Sequence, residues 1–234
     1  VYKRQVLLSA SEHNLYQRIV GSLLYLSINT RGDLLPAVHC LTRKMAAPNT
    51  YSMLQARKVL AYLQSTKDYK MVFDGNDDNP VIYGWADSSF NTGVGDRKSQ
   101  YGYCFGFGLK SAMFINVCRR STIIAQSSTE AEYYGLAEAS RELLWIKNFL
   151  IEIEQSQVQV RTIYQDNTTT IKIATADAVT DRSKHIDVKY HFVKSLCSEG
   201  LINVEYLATA HMVADIFTKA LLDGIFHKHA TRLL

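Results

Sequence analysis

Ser127-Ser128-Thr129-Glu130-Ala131-Glu132-Tyr133 opens the stretch SSTEAEYYGLAEASRELLWI (127–146), part of the longest helical pattern in a chain of 234 residues. The helix is predicted over Thr129–Ile153. Leu136, Ala139, Leu143 and Ile146 recur at helical spacing and define the face that meets the core. Glu132 heads that stripe, where a carboxylate is costly unless it is paired or bound to a metal. Glu130 is turned about 200° around the axis and falls on another face. There it suits an ordinary role: Ser127 or Ser128 caps the helix, and a first-turn carboxylate favours its dipole.

Outward from this helix the pattern changes period. Before it, Val81–Ala86, Gln100–Phe107 and Ala112–Cys118 read as strands separated by Gly-containing turns. After it come a strand at Val160–Gln165, helices at Thr168–Ala176 and His185–Ser198, a strand at Ile202–Leu207 and a closing helix from His211. Three consecutive strands can form an antiparallel meander; the later two, separated by helices, require crossovers and parallel pairing. The order predicts an α/β mixed five-stranded sheet, three antiparallel strands plus two parallel, with helices on both faces. Farther upstream, Ile19, Leu23 and Leu26 follow Ser11 at helical spacing. A second helix is predicted over Thr50–Ser65, with Leu54, Val59, Leu60 and Leu63 as its stripe. The run Asp74-Gly75-Asn76-Asp77-Asp78-Asn79-Pro80 is the clearest linker signal. It divides a small helical segment, 1–79, from an α/β domain, 80–234.

Composition narrows the class. With 47% apolar and 21% charged residues the chain is neither disordered nor fibrous. Charges interrupt every apolar stretch well short of about 20 residues, so no membrane-spanning helix is expected. Val1 to Gln5 leads into no secretory core, and the chain is read as a piece of a longer protein whose first residues need not be native. Cys40, Cys104, Cys118 and Cys197 show no CxxC spacing, which argues against a zinc site and a disulfide framework. A reduced, intracellular protein is the expectation. Residues 1–80 carry 10 basic and 6 acidic side chains, and the remainder 16 of each, so the basic surplus sits at the N-terminal side. That favours a polyanion contact there.

Four carboxylates stand in four different elements, which is what a metal-dependent nuclease needs: hard cations take oxygen ligands and the phosphodiester is itself anionic. Asp87 ends the strand Tyr83-Gly84-Trp85-Ala86; a strand-terminating Asp entering a turn is the plain alternative. Glu132 is the carboxylate on the core stripe. Asp166 follows the strand ending at Gln165 and could equally be a helix N-cap, although strand carboxyl ends are where α/β sites are usually built. Asp215 lies at the border of the apolar stripe of the closing helix, where a solvated Asp is as ordinary. No single one decides the matter, but their order does.

Strand Asp, helix Glu, strand-end Asp and closing-helix Asp on this element order resemble the ribonuclease H fold. The strings GWADSSF (84–90), DRKSQYGYCF (96–105), SSTEAEYYGLAEASRELLWI (127–146), YQDNTTTI (164–171), SKHIDVKYHFVK (183–194) and VEYLATAHMVADIFTKAL (204–221) resemble the ribonuclease H domain of copia-type LTR retrotransposon polyproteins. YQRIVGSLLYLSINTRGDL (16–34) and ARKVLAYLQSTKDY (56–69) resemble the connection between reverse transcriptase and that domain. The resemblance covers residue 12 to the end and departs from the family pattern at Gly32, Ser89 and Ala220, as a diverged copy would. No Tyr-x-Asp-Asp polymerase string is present.

The resemblance implies endonucleolytic hydrolysis of the RNA strand of RNA–DNA hybrids, with Asp87, Glu132, Asp166 and Asp215 as catalytic residues and metal ligands. Two Mg²⁺ ions about 4 Å apart would be bridged by Asp87, and Mn²⁺ could substitute. Substrate contacts are expected at Lys98, Ser99, Ser128, Thr129, Asn167, Lys184, His185 and His211, with Lys189 and His191 as further helix positions. The implied partners are the hybrid and the polymerase domain of the same polyprotein, with no membrane. The implied location is cytoplasmic, in virus-like particles, with the nucleus as a second compartment. Two rival readings stand beside this one. One is a catalytically inactive module that grips the hybrid and supports the polymerase. The other is a transposase or integrase core, against which the KHID and ADIFTK strings speak.

Overall fold

A computed structural model describes residues 6–73, 81–90, 97–155, 158–176 and 187–234. The predicted linker and the domain boundary at 79/80 lie outside them, as do Val1 to Gln5. Five strands form one open sheet: β1 (Val81–Ser89), β2 (Gln100–Phe107), β3 (Met113–Arg120), β4 (Gln159–Gln165) and β5 (Asn203–Tyr206), in the order β3-β2-β1-β4-β5. β1 pairs antiparallel with β2, and β2 with β3, while β4 runs parallel to β1 and β5 parallel to β4. The predicted mixed sheet, three antiparallel strands plus two parallel, is present.

Strand alternation assigns the two faces. Ile82 and Ala86 of β1, Tyr101, Tyr103 and Phe105 of β2 and Ile163 of β4 point to the face covered by α4 (Ser128–Glu152), α5 (Thr168–Thr175) and α6 (Asp187–Ser198). Leu136, Ala139, Leu143 and Ile146 of α4 are all buried there, as their spacing predicts. Lys189 is used structurally: it pairs with Glu138 of α4 and lies 3.4 Å from the ring centroid of Tyr134. Helix α4 crosses β1 closely at Gly135. A Cβ there would stand 2.2 Å from Ser88 Oγ, closer than any side chain tolerates, so this glycine sets the helix–strand distance beside the site.

Trp85, Cys104, Met113 and Cys118 point to the opposite face. The closing segment is not one helix from His211. A 3-10 turn (Thr209–His211), a single turn α7 (Asp215–Thr218) and α8 (Asp223–Leu233) replace it. The reason is burial: every residue from Met212 to Thr218 is buried, which one amphipathic helix face cannot achieve. Where α7 stops, the carbonyl of Phe217 accepts from Gln100 Nε2 at 2.5 Å and from Cys118 Sγ at 3.2 Å. Side chains of β2 and β3 thus replace the helical bonds that the break removes.

The N-terminal helices are α1 (Ala10–Asn29), α2 (Leu35–Thr42) and α3 (Thr50–Ser65). Their own core gathers Tyr16, Val20, Leu23, Val38 and Ala56. On α3 the predicted stripe holds at Val59 and Leu63, which pack against this core, and is corrected at Leu54 and Leu60, which are exposed, while Ser52, Met53 and Ala56 are buried. Apolar spacing left out Ala56 and Ser52, because a small residue and a polar one add nothing to an apolar stripe although both are buried on α3. This group docks on the α7–α8 side of the sheet. Leu35 is buried with Trp85, Met113 and Phe217, and Tyr62 meets Phe226 edge-on at 5.8 Å. A buried Arg31–Asp33 pair at 2.7 Å, with Tyr62 Oη donating to Asp33 at 2.9 Å, fixes the turn between α1 and α2. Val72 N–H donates to the Leu234 carbonyl, and Val72 accepts from Ala112 N–H, which ties the segment after α3 to the end of the chain. All four cysteines are free thiols, and no helix among the described residues is long and apolar enough to cross a membrane.

Candidate active site

The carboxyl ends of β1 and β4 lie side by side, and the first turn of α4 reaches them from one face while α7 reaches them from the other. Asp87, on β1, is fully buried on the α7 side. Its Oδ2 accepts from Thr218 Oγ1 and its Oδ1 from Lys219 Nζ at 3.1 Å. Glu132 is 8% exposed; its Oε2 accepts from Ser88 N–H at 3.0 Å and from Gln165 Nε2 at 3.5 Å. Asp166, half-buried, accepts from Thr209 Oγ1 at 2.7 Å. One carboxylate oxygen from each of Asp87, Glu132 and Asp166 lies within 4.8 Å of the others.

Asp215 is buried, not solvated on a long helix as one reading of the sequence allowed. It stands outside that trio and joins it through Lys219, whose Nζ is 2.9 Å from Asp215 Oδ1. Glu130 takes the role its face predicts. Ser127 caps α4 by accepting from Glu130 N–H at 3.1 Å, and Glu130 accepts from Gln126 N–H at 2.5 Å.

Three contributors were not singled out in the sequence. Lys219 and Thr218 bind Asp87, and Lys219 is four residues beyond Asp215, the spacing of neighbours on one helix face. Gln165 is fully buried and holds two acids at once. Its amide nitrogen donates to Glu132, and its Oε1 accepts from Asp166 N–H at 2.8 Å and Asn167 N–H at 3.2 Å. The signal was available: Gln165 shares strand parity with the buried Ile163, so a polar side chain had to point inward.

Of the predicted substrate contacts, Ser128 is exposed and Thr129 half-buried at the opening of α4, one turn from Glu132. Lys98 is half-buried and Ser99 buried just ahead of β2. Asn167 adjoins Asp166 but spends its side chain capping α5 through Thr169 and Thr170. His211 is exposed at the end of the 3-10 turn that carries Thr209. Lys184 and His185 lie outside the described residues.

So many buried carboxylates resist ionisation. Burial, then Asp87 and Asp166, push Glu132 up to about 9, and burial, then Asp87, push Asp215 up to about 6. Asp87 is raised as well, because burial outweighs the nearby ammonium of Lys219. For Lys219 burial works against the charge, but Asp87 and Asp215 together hold it above its ordinary value. A carboxyl whose pKa rises on folding stabilises the fold below its unfolded pKa and loses that contribution as pH climbs through the folded value. Metal-free protein should therefore lose thermal stability between about pH 4.5 and about pH 9, the interval over which Glu132 differs between the two states. Unfolding midpoints in EDTA would measure this, and Glu132→Gln should flatten the fall. An equal slope in both proteins would place its origin elsewhere.

Over 204 residues, 87% of its length, the chain is 30% identical to the retrovirus-related Pol polyprotein of the Nicotiana tabacum transposon TNT 1-94. It is also 30% identical over 218 residues to the Pol polyprotein of the Arabidopsis thaliana transposon RE2. The homologues of this chain are copia-type retrotransposon Pol polyproteins. It spans 15% of the length of either relative. No family model matches the chain. Among solved structures, the N-terminal RNase H domain of a Mycobacterium tuberculosis protein aligns with 65% of this chain and 97% of its own, at 15% identity and a TM-score of 0.45. The copia-type strings quoted above bring Asp87, Glu132 and Asp166 together in space, with Asp215 joined through Lys219.

Proposed function

We propose that this chain cleaves the RNA strand of an RNA–DNA hybrid with divalent cations held by Asp87, Glu132, Asp166 and Asp215. The observation that carries the reading is the convergence of Asp87, Glu132 and Asp166 from three separate elements. An all-oxygen donor set suits a hard cation, Mg²⁺ with Mn²⁺ in its place. The residues fit such ions on charge as well: Lys219 is bonded to only two of the four carboxylates, Asp87 and Asp215, and burial raises the pKa of Asp87, Glu132 and Asp215. When bound, divalent ions lower the pKa of a coordinated water and neutralise charge on the scissile phosphate.

The chain's own residues do the positioning. Thr218 fixes one oxygen of Asp87, Thr209 fixes Asp166, and Gln165 ties Glu132 to the backbone that carries Asp166. The acids therefore present their oxygens in set directions before substrate arrives. Hybrid selection would rest on 2′-hydroxyl contacts and minor-groove shape, so little base preference is expected. Lys98, Ser99, Ser128, Thr129, Asn167 and His211 remain proposed contacts, and the polymerase portion of the same polyprotein is the proposed neighbour inside the cell.

The purified chain with Mg²⁺ and a hybrid labelled on each strand should cut the RNA and leave the DNA intact, and EDTA should stop the reaction. Affinity should fall steeply with salt, since phosphate contacts dominate such binding. Cleavage that persists in EDTA would remove the metal from the reading. Tight hybrid binding without cleavage would instead support the inactive, hybrid-gripping module.

A further inference from the structure

Resting on the proposed metal-dependent reading, the geometry points to a role for Lys219 as an internal cation that occupies the second metal position. Three acids, Asp87, Glu132 and Asp166, form one cluster. Asp215 is left out of it, and the space between Asp215 and Asp87 is bridged by Lys219 Nζ at 2.9 and 3.1 Å. A Mg²⁺ ion shared by the same two carboxylates would need an oxygen of each at about 2.0–2.1 Å. It would then stand within van der Waals reach of the ammonium, where repulsion between the two charges is large at the low effective dielectric of a buried site. The ammonium and a second divalent ion exclude each other.

The consequence is an asymmetric site. One ion binds to Asp87, Glu132 and Asp166 with Lys219 in place, its charge balancing Asp87 and Asp215. A second ion enters between Asp87 and Asp215 only by displacing Lys219. Displacement is sterically simple: 35% of the Lys219 side chain is open to solvent, against 0% for Asp87 and 7% for Asp215, so the lysine can leave while the acids stay. Lys219 also follows α7 in an extended backbone conformation (φ −127°, ψ 150°), outside the helix, so its departure breaks no helical turn. Lys219 is in this sense a positioning residue, keeping Asp87 and Asp215 apart from one another's charge until the second ion replaces it.

Equilibrium Mn²⁺ binding to the full chain, read from the paramagnetic resonance of the free ion, tests this. Wild type should bind one ion tightly and a second much more weakly. Lys219→Met keeps the length of the side chain and removes the charge. It should strengthen the second ion by about tenfold or more and leave the first within about twofold, as expected when one repelling charge is deleted. Lys219→Arg should restore the wild-type pattern. Thermal unfolding of Lys219→Met should be lowered in EDTA and recovered by Mn²⁺, which also shows that the variant folds. Unchanged second-ion affinity beside a normal first ion overturns the role of Lys219 alone. Absence of any Mn²⁺ binding to either protein overturns the metal-dependent reading and this inference with it.

Discussion

Glu132→Gln is expected to lower hybrid cleavage by about a hundredfold or more, the cost of removing one preorganised charge from a reaction centre. Glu130→Gln, two residues away, should leave the rate nearly unchanged. The two differ in what each oxygen does. Glu132 is buried beside Asp87 and Asp166 and is held there by Ser88 N–H and Gln165. Glu130 accepts from Gln126 N–H at the outside of the helix N-terminus, so its loss should cost a few tenths to about 1 kcal/mol of stability. The stability effects should run opposite to the rates. Glu132→Gln removes a carboxyl that must keep its proton on folding, its pKa being pushed up to about 9, and the metal-free variant should unfold at a higher temperature than wild type at neutral pH. Initial rates on a labelled hybrid, with thermal unfolding of the same preparations, separate the pair. A dead Glu130→Gln beside an active Glu132→Gln would reverse the assignment of the site.

Asp87→Asn should abolish measurable cleavage with the fold retained. Asp87 is fully buried at the centre of the site, meets Thr218 and Lys219 directly and shares the carboxylate cluster with Glu132 and Asp166. Asn has the same shape and can still accept from Thr218, so packing is kept while the charge goes. Because burial makes that charge expensive, the variant should be as stable as wild type in EDTA, and Mg²⁺ should no longer raise its unfolding temperature. A variant that keeps the Mg²⁺-dependent shift would show the ion bound elsewhere.

The strands and α4 were legible because their period is a direct consequence of facing one core. β2 occupies the predicted residues, and the α4 stripe is buried residue for residue. The closing segment was not legible for the same physical reason inverted. Met212 to Phe217 reads as helical by spacing, but all of it is buried between the sheet and α2, and a segment enclosed on every side carries no stripe. Gln165 was written in the parity of β4, whereas the partnership of Thr218 with Asp87 depends on a chain break that spacing does not announce. The docking of the N-terminal helices through Leu35, Tyr62 and Val72 had no local mark either, since it joins residues far apart along the chain.

The break around α7 has a consequence for how the protein is made. Thr218 and Lys219 lie 131 and 132 residues beyond the Asp87 they hold, and Glu132 and Asp166 fall between. Contacts of such separation close late, after the loop entropy between them has been overcome. On a ribosome, β1 to β5 can pair while the segment after residue 206 is still within the exit tunnel, leaving Asp87 without its two partners. The acidic centre thus acquires its final form after the sheet that carries it, and a chain released before Lys219 would carry a sheet but an unfinished site.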